Sequence, residues 1–280
     1  MAEIINGKEV SGIIRDEVKE KVRLLKDRGI TVTLAVVLVG NDPASRIYVR
    51  NKEKACEYCG IISRKIELGE STTQQELLSV IEGLNADKDV TGILVQLPVP
   101  AHIDADAVIR AIDPSKDVDG FHPQNVGALS IGLPGLKSCT PAGIIELLKR
   151  YEIPIAGREC VIVGRSNIVG KPMAMLMLRE NATVTVAHSK TADLKEVCRR
   201  ADILITATGR AKMFDRSYIK EGAAVIDCGM DRDADGKLCG DVDYEDVLPA
   251  VSAITPVPGG VGPMTVAMLM HNCVEAQMLR

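Results

Sequence analysis

An α/β fold in two domains is predicted by three features of the sequence. Strand-like and helix-like segments alternate through both halves, the pattern of βα units around a mostly parallel sheet. Residues 161–174, Val-Ile-Val-Gly-Arg-Ser-Asn-Ile-Val-Gly-Lys-Pro-Met-Ala, pass from an apolar strand through a glycine loop into a helical pattern, which marks the second domain as Rossmann-like. A chain of 280 residues, 46% hydrophobic, also has the material for two cores.

The elements of the first half follow in order. Val32–Val39 is a continuous apolar run, as expected of a buried parallel strand. Asp42 can cap a helix that opens on Pro43, runs to about Cys59 and stops at Gly60. Ile61–Leu68 alternates as a strand, Thr73 to about Ala86 reads as helix, and Val90–Gln96 supplies the next strand. A short helix over Asp104–Ile112 is capped by Asp104, and residues 113–138, rich in Asp, Gly and Pro with little periodicity, are expected to be loop. Thr140 as cap and Pro141 as first residue then launch a helix to about Tyr151, which sets a first domain of 1–139 and a second of 140–262. The second half repeats the rhythm with strands near 160–163, 182–187, 202–206, 223–227 and 252–255, and a last helix starts at Pro263.

The glycine loop departs from the usual dinucleotide fingerprint. Gly164 and Gly170 are six positions apart, and Ser166 stands where a middle glycine would be. The turn can still turn backbone N–H groups and a helix N-terminus toward a pyrophosphate. The next strand ends at His188-Ser189-Lys190, with no carboxylate to hold a ribose 2′-hydroxyl. A hydroxyl, a lysine and Arg165 suit a 2′-phosphate instead, so the cofactor read from these residues is NADP. Arg165 and Lys190 as plain solvated loop cations are the alternative.

Four other segments can carry chemistry. Tyr48, Lys52, Cys56 and Cys59 fall at steps of four, four and three, and so share a helix face. A lysine whose affinity for protons is lowered by burial or by a neighbouring cation can act as a base, although a tyrosine ring packed on a lysine stem explains the same spacing. Gln96 sits at the C-terminal end of a strand, where open α/β sheets place ligands, and Leu97-Pro98-Val99-Pro100 is a stiff exit from it. Lys116-Asp117-Val118-Asp119-Gly120-Phe121 puts two carboxylates in a turn, able to accept from a ligand's N–H groups or merely to make an Asp-Gly turn. The loop from Thr255 to Thr265 has three prolines and three glycines in eleven residues, a backbone both stiff and bare, fit for the close approach of a flat ring.

Composition removes other classes. A net charge of −4 with no long basic run, no Trp and only two Phe argue against nucleic acid as a partner. No apolar stretch approaches a membrane span, so no membrane partner and a cytoplasmic location are expected. Eight scattered cysteines fit reduced thiols, and the Cys56/Cys59 pair lacks the further ligands of a zinc shell, so no metal is expected. The four histidines have no metal-ligand spacing, and neither a G-x-S-x-G elbow nor a Walker loop occurs.

Taken together, Ile5-Asn6-Gly7-Lys8, Ser45 through Lys54, Gly92 through Pro100, Lys116 through Pro123, Cys139-Thr140-Pro141, Val163 through Pro172, His188-Ser189, Gly240-Asp241-Val242-Asp243 and the Pro256–Thr265 loop closely resemble the methylenetetrahydrofolate dehydrogenase/methenyltetrahydrofolate cyclohydrolase family, nearly end to end. The resemblance implies oxidation of 5,10-methylenetetrahydrofolate by NADP⁺ and hydrolysis of the methenyl product to 10-formyltetrahydrofolate. It implies Lys52 in proton transfer, Gln96 holding that lysine and helping keep it neutral, Tyr48 against the folate, and Asp119 on the pterin's N–H edge. Pro258 and Gly259 would touch substrate, with Gly259 and Thr265 where nicotinamide meets folate. Gly164, Ser166 and Gly170 would hold the pyrophosphate, and Arg165, His188 and Ser189 the 2′-phosphate end. It further implies that the last helix, 263–280, completes the catalytic domain, and that the protein is a homodimer. Ser138 and Cys228 depart from the family pattern without touching a site residue. A dehydrogenase that has lost the hydrolase, and a nucleotide-sensing module without turnover, are the competing readings.

Overall fold

The computed structural model describes residues 2–279. In chain order its elements are β1 (Glu3–Ile4), α1 (Gly7–Lys26), β2 (Thr33–Val39), α2 (Pro43–Cys59), β3 (Ile62–Leu68), α3 (Gln74–Ala86), β4 (Gly92–Val95), α4 (Ala105–Ala111), α5 (Pro123–Ile131) and α6 (Cys139–Arg150). Then follow β5 (Glu159–Val163), α7 (Gly170–Arg179), β6 (Thr183–Ala187), α8 (Leu194–Cys198), β7 (Ile203–Thr206), β8 (Ala224–Asp227), β9 (Asp231–Arg232), β10 (Leu238–Cys239), α9 (Tyr244–Val247), β11 (Ala253–Ile254) and α10 (Val261–Met278). They group into two compact units, one of Gly12–Cys139 with the residues from Val266 on, the other of the residues up to Ser11 with Thr140–Thr265.

In the first unit a parallel sheet runs in the order β3-β2-β4. β2 is the middle strand, and its seven residues are all buried, which is why it reads as an unbroken apolar run. Val37 and Val39 pack with Leu77 and Ile81 of α3 and with Val108 of α4. The caps are local chemistry: Asp42 accepts from Ser45 N at 2.7 Å, Gly60 closes α2 at φ +78°, and Thr73 and Glu76 form a reciprocal capping box. α5 occupies part of the stretch expected to be loop, with the His122 ring accepting from Gln124 N and Pro123 in the first turn. From α10, Asn272 Nδ2 donates to Val118 O and Lys137 O, both at 2.8 Å.

The second unit carries a six-stranded parallel sheet in the order β1-β11-β8-β7-β5-β6, and a hairpin of β9 with β10. Its core joins Val161, Val163, Leu204, Val225, Phe214 and Ile254. Glu3 and Ile4 pair with Ala253 and Ile254, so the chain up to Ser11 groups with the dinucleotide-type sheet and not with residues 12–139, where a first domain of 1–139 would put it. Two further boundaries move. α6 begins at Cys139, and Thr140 turns its hydroxyl to Thr265 Oγ1 at 2.9 Å instead of capping. α10 begins at Val261, which leaves Pro263 in the first turn, where its missing N–H costs nothing. Among the described residues no helix is long and apolar enough to cross a membrane.

Candidate active site

One group of candidate residues belongs to the unit around β2. The helix face predicted for α2 exists, and Lys52 Nζ donates to Gln96 Oε1 at 2.9 Å. Gln96 is itself fixed: its N–H donates to Val37 O at 2.8 Å, continuing the ladder past β4, and its Nε2 donates to Leu97 O at 2.6 Å. With the amide nitrogen so occupied, the oxygen faces the lysine. Lys52 therefore meets a neutral acceptor with one orientation. Tyr48, one turn earlier, is 42% exposed and leaves ring surface available to a ligand. Cys56 and Cys59 are packing residues, 0% and 1% exposed, with burial pushing their thiols up to about 12 and about 11.

Asp119 lies near Lys52 in a loop pinned at both ends. Lys116 is 5% exposed and donates to the carbonyls of Leu84, Asn85 and Asp87, satisfying the C-terminal end of α3. Asp117, 2% exposed, accepts from His122 N at 2.7 Å and Asn125 Nδ2 at 2.9 Å. Gly120 has φ +71°, and a side chain there would meet the Lys137 carbonyl carbon at 2.4 Å. The Asp-Gly turn is thus a rigid mount for Asp119. Burial pushes the Asp119 carboxyl up to about 6, Lys52 pulls it down, and Asp117 adds to the rise.

A carboxyl raised on folding binds more protons in the native chain, so its ionisation weakens the fold as pH rises from about 4 through 6. Asp119→Asn is therefore expected to stabilise the protein at pH 7.5, by about 1–2 kcal/mol once its partial exposure is allowed for, and less at pH 4.5. Melting curves at the two pH values check this; a mutant less stable than its parent at pH 7.5 refutes it.

A second group belongs to the unit of the six-stranded sheet. β5 lies between β6 and β7, so the strand order, which steps one way from β5 to β6 and the other way to β7, reverses at its C-terminal end, the switch point where such sheets bind ligands. A cavity of about 240 Å³ opens there, walled by Gly164 and Arg165 after β5, His188 and Ser189 after β6, and Ala207, Thr208 and Arg210 after β7. Among the described residues no carboxylate lines it. Thr208 Oγ1 is buried without a hydrogen-bond partner, as a group awaiting a ligand oxygen would be. Thr191 Oγ1 accepts from His188 N, and His188 Nδ1 accepts from Lys190 N at 3.1 Å, which assigns the ring proton to Nε2. Lys190 is not among the lining residues, while Thr208 and Arg210 are lining residues that reading along the chain did not single out. Their one local signal is Gly209 just past a buried strand.

Gly164 and Gly170 are close-approach glycines: a side chain on the first would meet Ala207 O at 2.5 Å, and on the second Gly164 O at 2.2 Å. Ser166 holds the turn, its Oγ accepting from Val169 N at 3.1 Å and Gly170 N at 3.4 Å. The loop carrying Pro258 and Gly259 is clamped by the N-terminal segment. Lys8 N donates to Gly259 O at 2.9 Å, and a side chain on Gly7 would strike Gly260 O at 1.8 Å. The structure thus brings Tyr48, Lys52, Gln96 and Asp119 into one unit, and the remaining candidates into the other.

Comparison with known proteins gives one answer for both units. Residues 5–119 match the model of the tetrahydrofolate dehydrogenase/cyclohydrolase catalytic domain, and residues 138–280 that of the tetrahydrofolate dehydrogenase/cyclohydrolase NAD(P)-binding domain. The bifunctional protein FolD of Agathobacter rectalis is 66% identical over 276 residues, 99% of each chain. The crystal structure of the Campylobacter jejuni bifunctional enzyme FolD, a methylenetetrahydrofolate dehydrogenase/cyclohydrolase, aligns over 100% of both chains with a TM-score of 0.98 and 51% identity. The Trypanosoma brucei dehydrogenase-cyclohydrolase, solved with NADP cofactor and an inhibitor, aligns over 100% of this chain and 99% of its own, with a TM-score of 0.94 and 38% identity.

Proposed function

This chain belongs to the tetrahydrofolate dehydrogenase/cyclohydrolase family, and from that premise we infer how its residues divide two reactions on one folate. It oxidises 5,10-methylenetetrahydrofolate with NADP⁺ to the 5,10-methenyl form and hydrolyses that to 10-formyltetrahydrofolate. The observation that carries the assignment is the Lys52–Gln96 pair at the ligand end of β4, beside Asp119.

In our reading Asp119 accepts from the N–H edge of the pterin, and the exposed Tyr48 ring lies against the folate. Loss of hydride leaves the bridge carbon a cation. Water adds to it and releases a proton; the hydroxyl then loses its proton as the bond from the bridge carbon to the ring nitrogen breaks and that nitrogen is protonated. One water is consumed and one proton released overall. Lys52 takes and returns the moving proton, and Gln96 holds the amine at the place where it must act.

The residues at the switch point fit NADP: two guanidinium groups, the Ser189 hydroxyl, the unpartnered Thr208 hydroxyl, and, among the described residues, no carboxylate to repel a phosphate. When bound, NADP⁺ accepts the hydride. We assign Arg165, His188 and Ser189 to the 2′-phosphate end, and Gly164, Ser166 and Gly170 to the pyrophosphate turn. On the stiff loop after β11 we assign Pro258 and Gly259 to substrate contact and Thr265 to cofactor contact.

One reaction tests the whole: purified protein with 5,10-methylenetetrahydrofolate and NADP⁺, reduced cofactor and methenyl product followed separately. Reduced cofactor without methenyl build-up beyond the spontaneous-hydrolysis control is expected. Absence of reduced cofactor overturns the reading, and methenyl that accumulates leaves only the dehydrogenase.

We also infer a homodimer in the cytoplasm. β6 is a sheet edge with an unpaired row of backbone groups and Val186 40% exposed, and the neighbouring α7 exposes Leu178 at 57%. Eight free cysteines suit a reducing compartment. Sedimentation should give about twice the 30.1 kDa chain mass, and a monomer at micromolar concentration refutes the dimer.

A further inference from the structure

Behind the switch-point cavity lies a carboxylate network that the two reactions leave unused. Asp227, at the end of β8, is 3% exposed, and Asp241, in the Gly240-Asp241-Val242-Asp243 segment, is 0% exposed. Asp227 Oδ1 accepts from Thr206 Oγ1 at 3.2 Å, Gly229 N at 2.8 Å and Asp241 N at 3.0 Å, while Oδ2 accepts from Val242 N at 2.9 Å. Its own N–H donates to Thr255 Oγ1 at 2.8 Å. One side chain thus ties the ends of β7 and β8 to the 240–242 segment, with Thr255 beyond β11 bound alongside. Gly240 has no room to spare, since a side chain on it would meet Asp227 Oδ2 at 2.0 Å and Val257 Cγ2 at 2.8 Å.

Asp241 passes this order to the cavity. Its Oδ2 accepts from Thr208 N at 2.6 Å and its Oδ1 from Arg210 N at 2.9 Å, the two lining residues that follow β7. Two buried carboxylates are costly to keep in a core, even when each is well supplied with donors. What they hold is backbone whose side chains face the cavity.

We propose that Asp227 and Asp241 are positioning residues of the dehydrogenase: Asp227 fixes the 240–242 segment against the strand ends, and Asp241 uses that footing to hold Thr208 and Arg210 at the phosphate cavity. The proposal rests on the reading of that cavity as the NADP site. Asp241→Asn replaces one of two acceptor oxygens with an N–H group facing a backbone donor, so the loop loses its hold while volume is kept.

The test is steady-state kinetics of Asp241→Asn, with Arg165→Ala in parallel and cyclohydrolase turnover of methenyltetrahydrofolate measured without nucleotide as the internal control. We expect the KM for NADP⁺ to rise about ten- to a hundredfold, dehydrogenase kcat at saturating NADP⁺ to change less than about threefold, and nucleotide-free cyclohydrolase turnover to stay within about twofold. A KM within about twofold of the parent, while Arg165→Ala raises it, overturns the positioning role. If Arg165→Ala also leaves KM unchanged, the cavity reading itself has failed. Should Asp241→Asn lose both activities through misfolding, Thr206→Val, which deletes only the hydroxyl donor to Asp227, serves instead. It is expected to raise KM for NADP⁺ about three- to tenfold with kcat retained, and an unaltered KM there overturns the proposal.

Discussion

Replacing Lys52 with Met is expected to lower cyclohydrolase turnover about a hundred- to ten-thousandfold, the range over which a positioned proton-transfer group contributes. Methionine keeps the length and the packing of the lysine stem, so the helix face with Tyr48 and Cys56 should survive. The Gln96 oxygen loses a partner, at a smaller cost borne by folding. Hydride transfer needs no base, so dehydrogenase turnover should fall by no more than about tenfold, and methenyl product should accumulate in the combined reaction. Hydrolysis at the parental rate would remove Lys52 from the mechanism. Loss of both activities in equal measure would instead make it a folate-binding residue.

Arg165→Ala is expected to weaken NADP⁺ about ten- to a hundredfold, the worth of one charge-assisted hydrogen bond set of about 1.5–3 kcal/mol, and NAD⁺ by less than about threefold. The loss stops short of abolition because Arg210 lines the same cavity and keeps a second guanidinium available. Calorimetry with each nucleotide measures the ratio directly. Unaltered discrimination would place the 2′-phosphate against other residues.

Strands and caps were legible along the chain wherever the deciding physics is local. β2 is covered on both faces and so reads as an uninterrupted apolar run, and Asp42 and Asp104 cap helices through bonds reaching only two or three residues. α5 was not legible, because Val126, Gly127, Ala128, Leu129 and Ile131 are small or apolar all round; Val126 and Ile131 are exposed, so no polar face marks the period. α1 does carry a pattern, with Val10, Ile14, Val18 and Val22 buried at steps of four, although the elements set out from sequence begin only at Val32. At the site, the spacing of Tyr48 and Lys52 on one helix face was readable, whereas the meeting of Lys52 with Gln96 spans 44 positions and depends on β4 lying beside β2. Thr208 and Arg210 were hidden for the same reason. Only the order β7-β5-β6 brings three separate strand ends around one cavity.

The pairing of β1 with β11 also bears on how the chain is made. Glu3 meets Ala253, 250 positions later (253 − 3), so β1 leaves the ribosome long before its partner exists. The other unit waits as well, since Asn272 supplies the bonds that hold Val118 and Lys137. Loop closure over such separations slows folding and exposes partly built sheets to misassociation. Neither unit corresponds to a continuous stretch of message, and expressing 140–265 alone would leave β11 as a bare edge without β1. Poor recovery of single-domain fragments is the expected result of this topology.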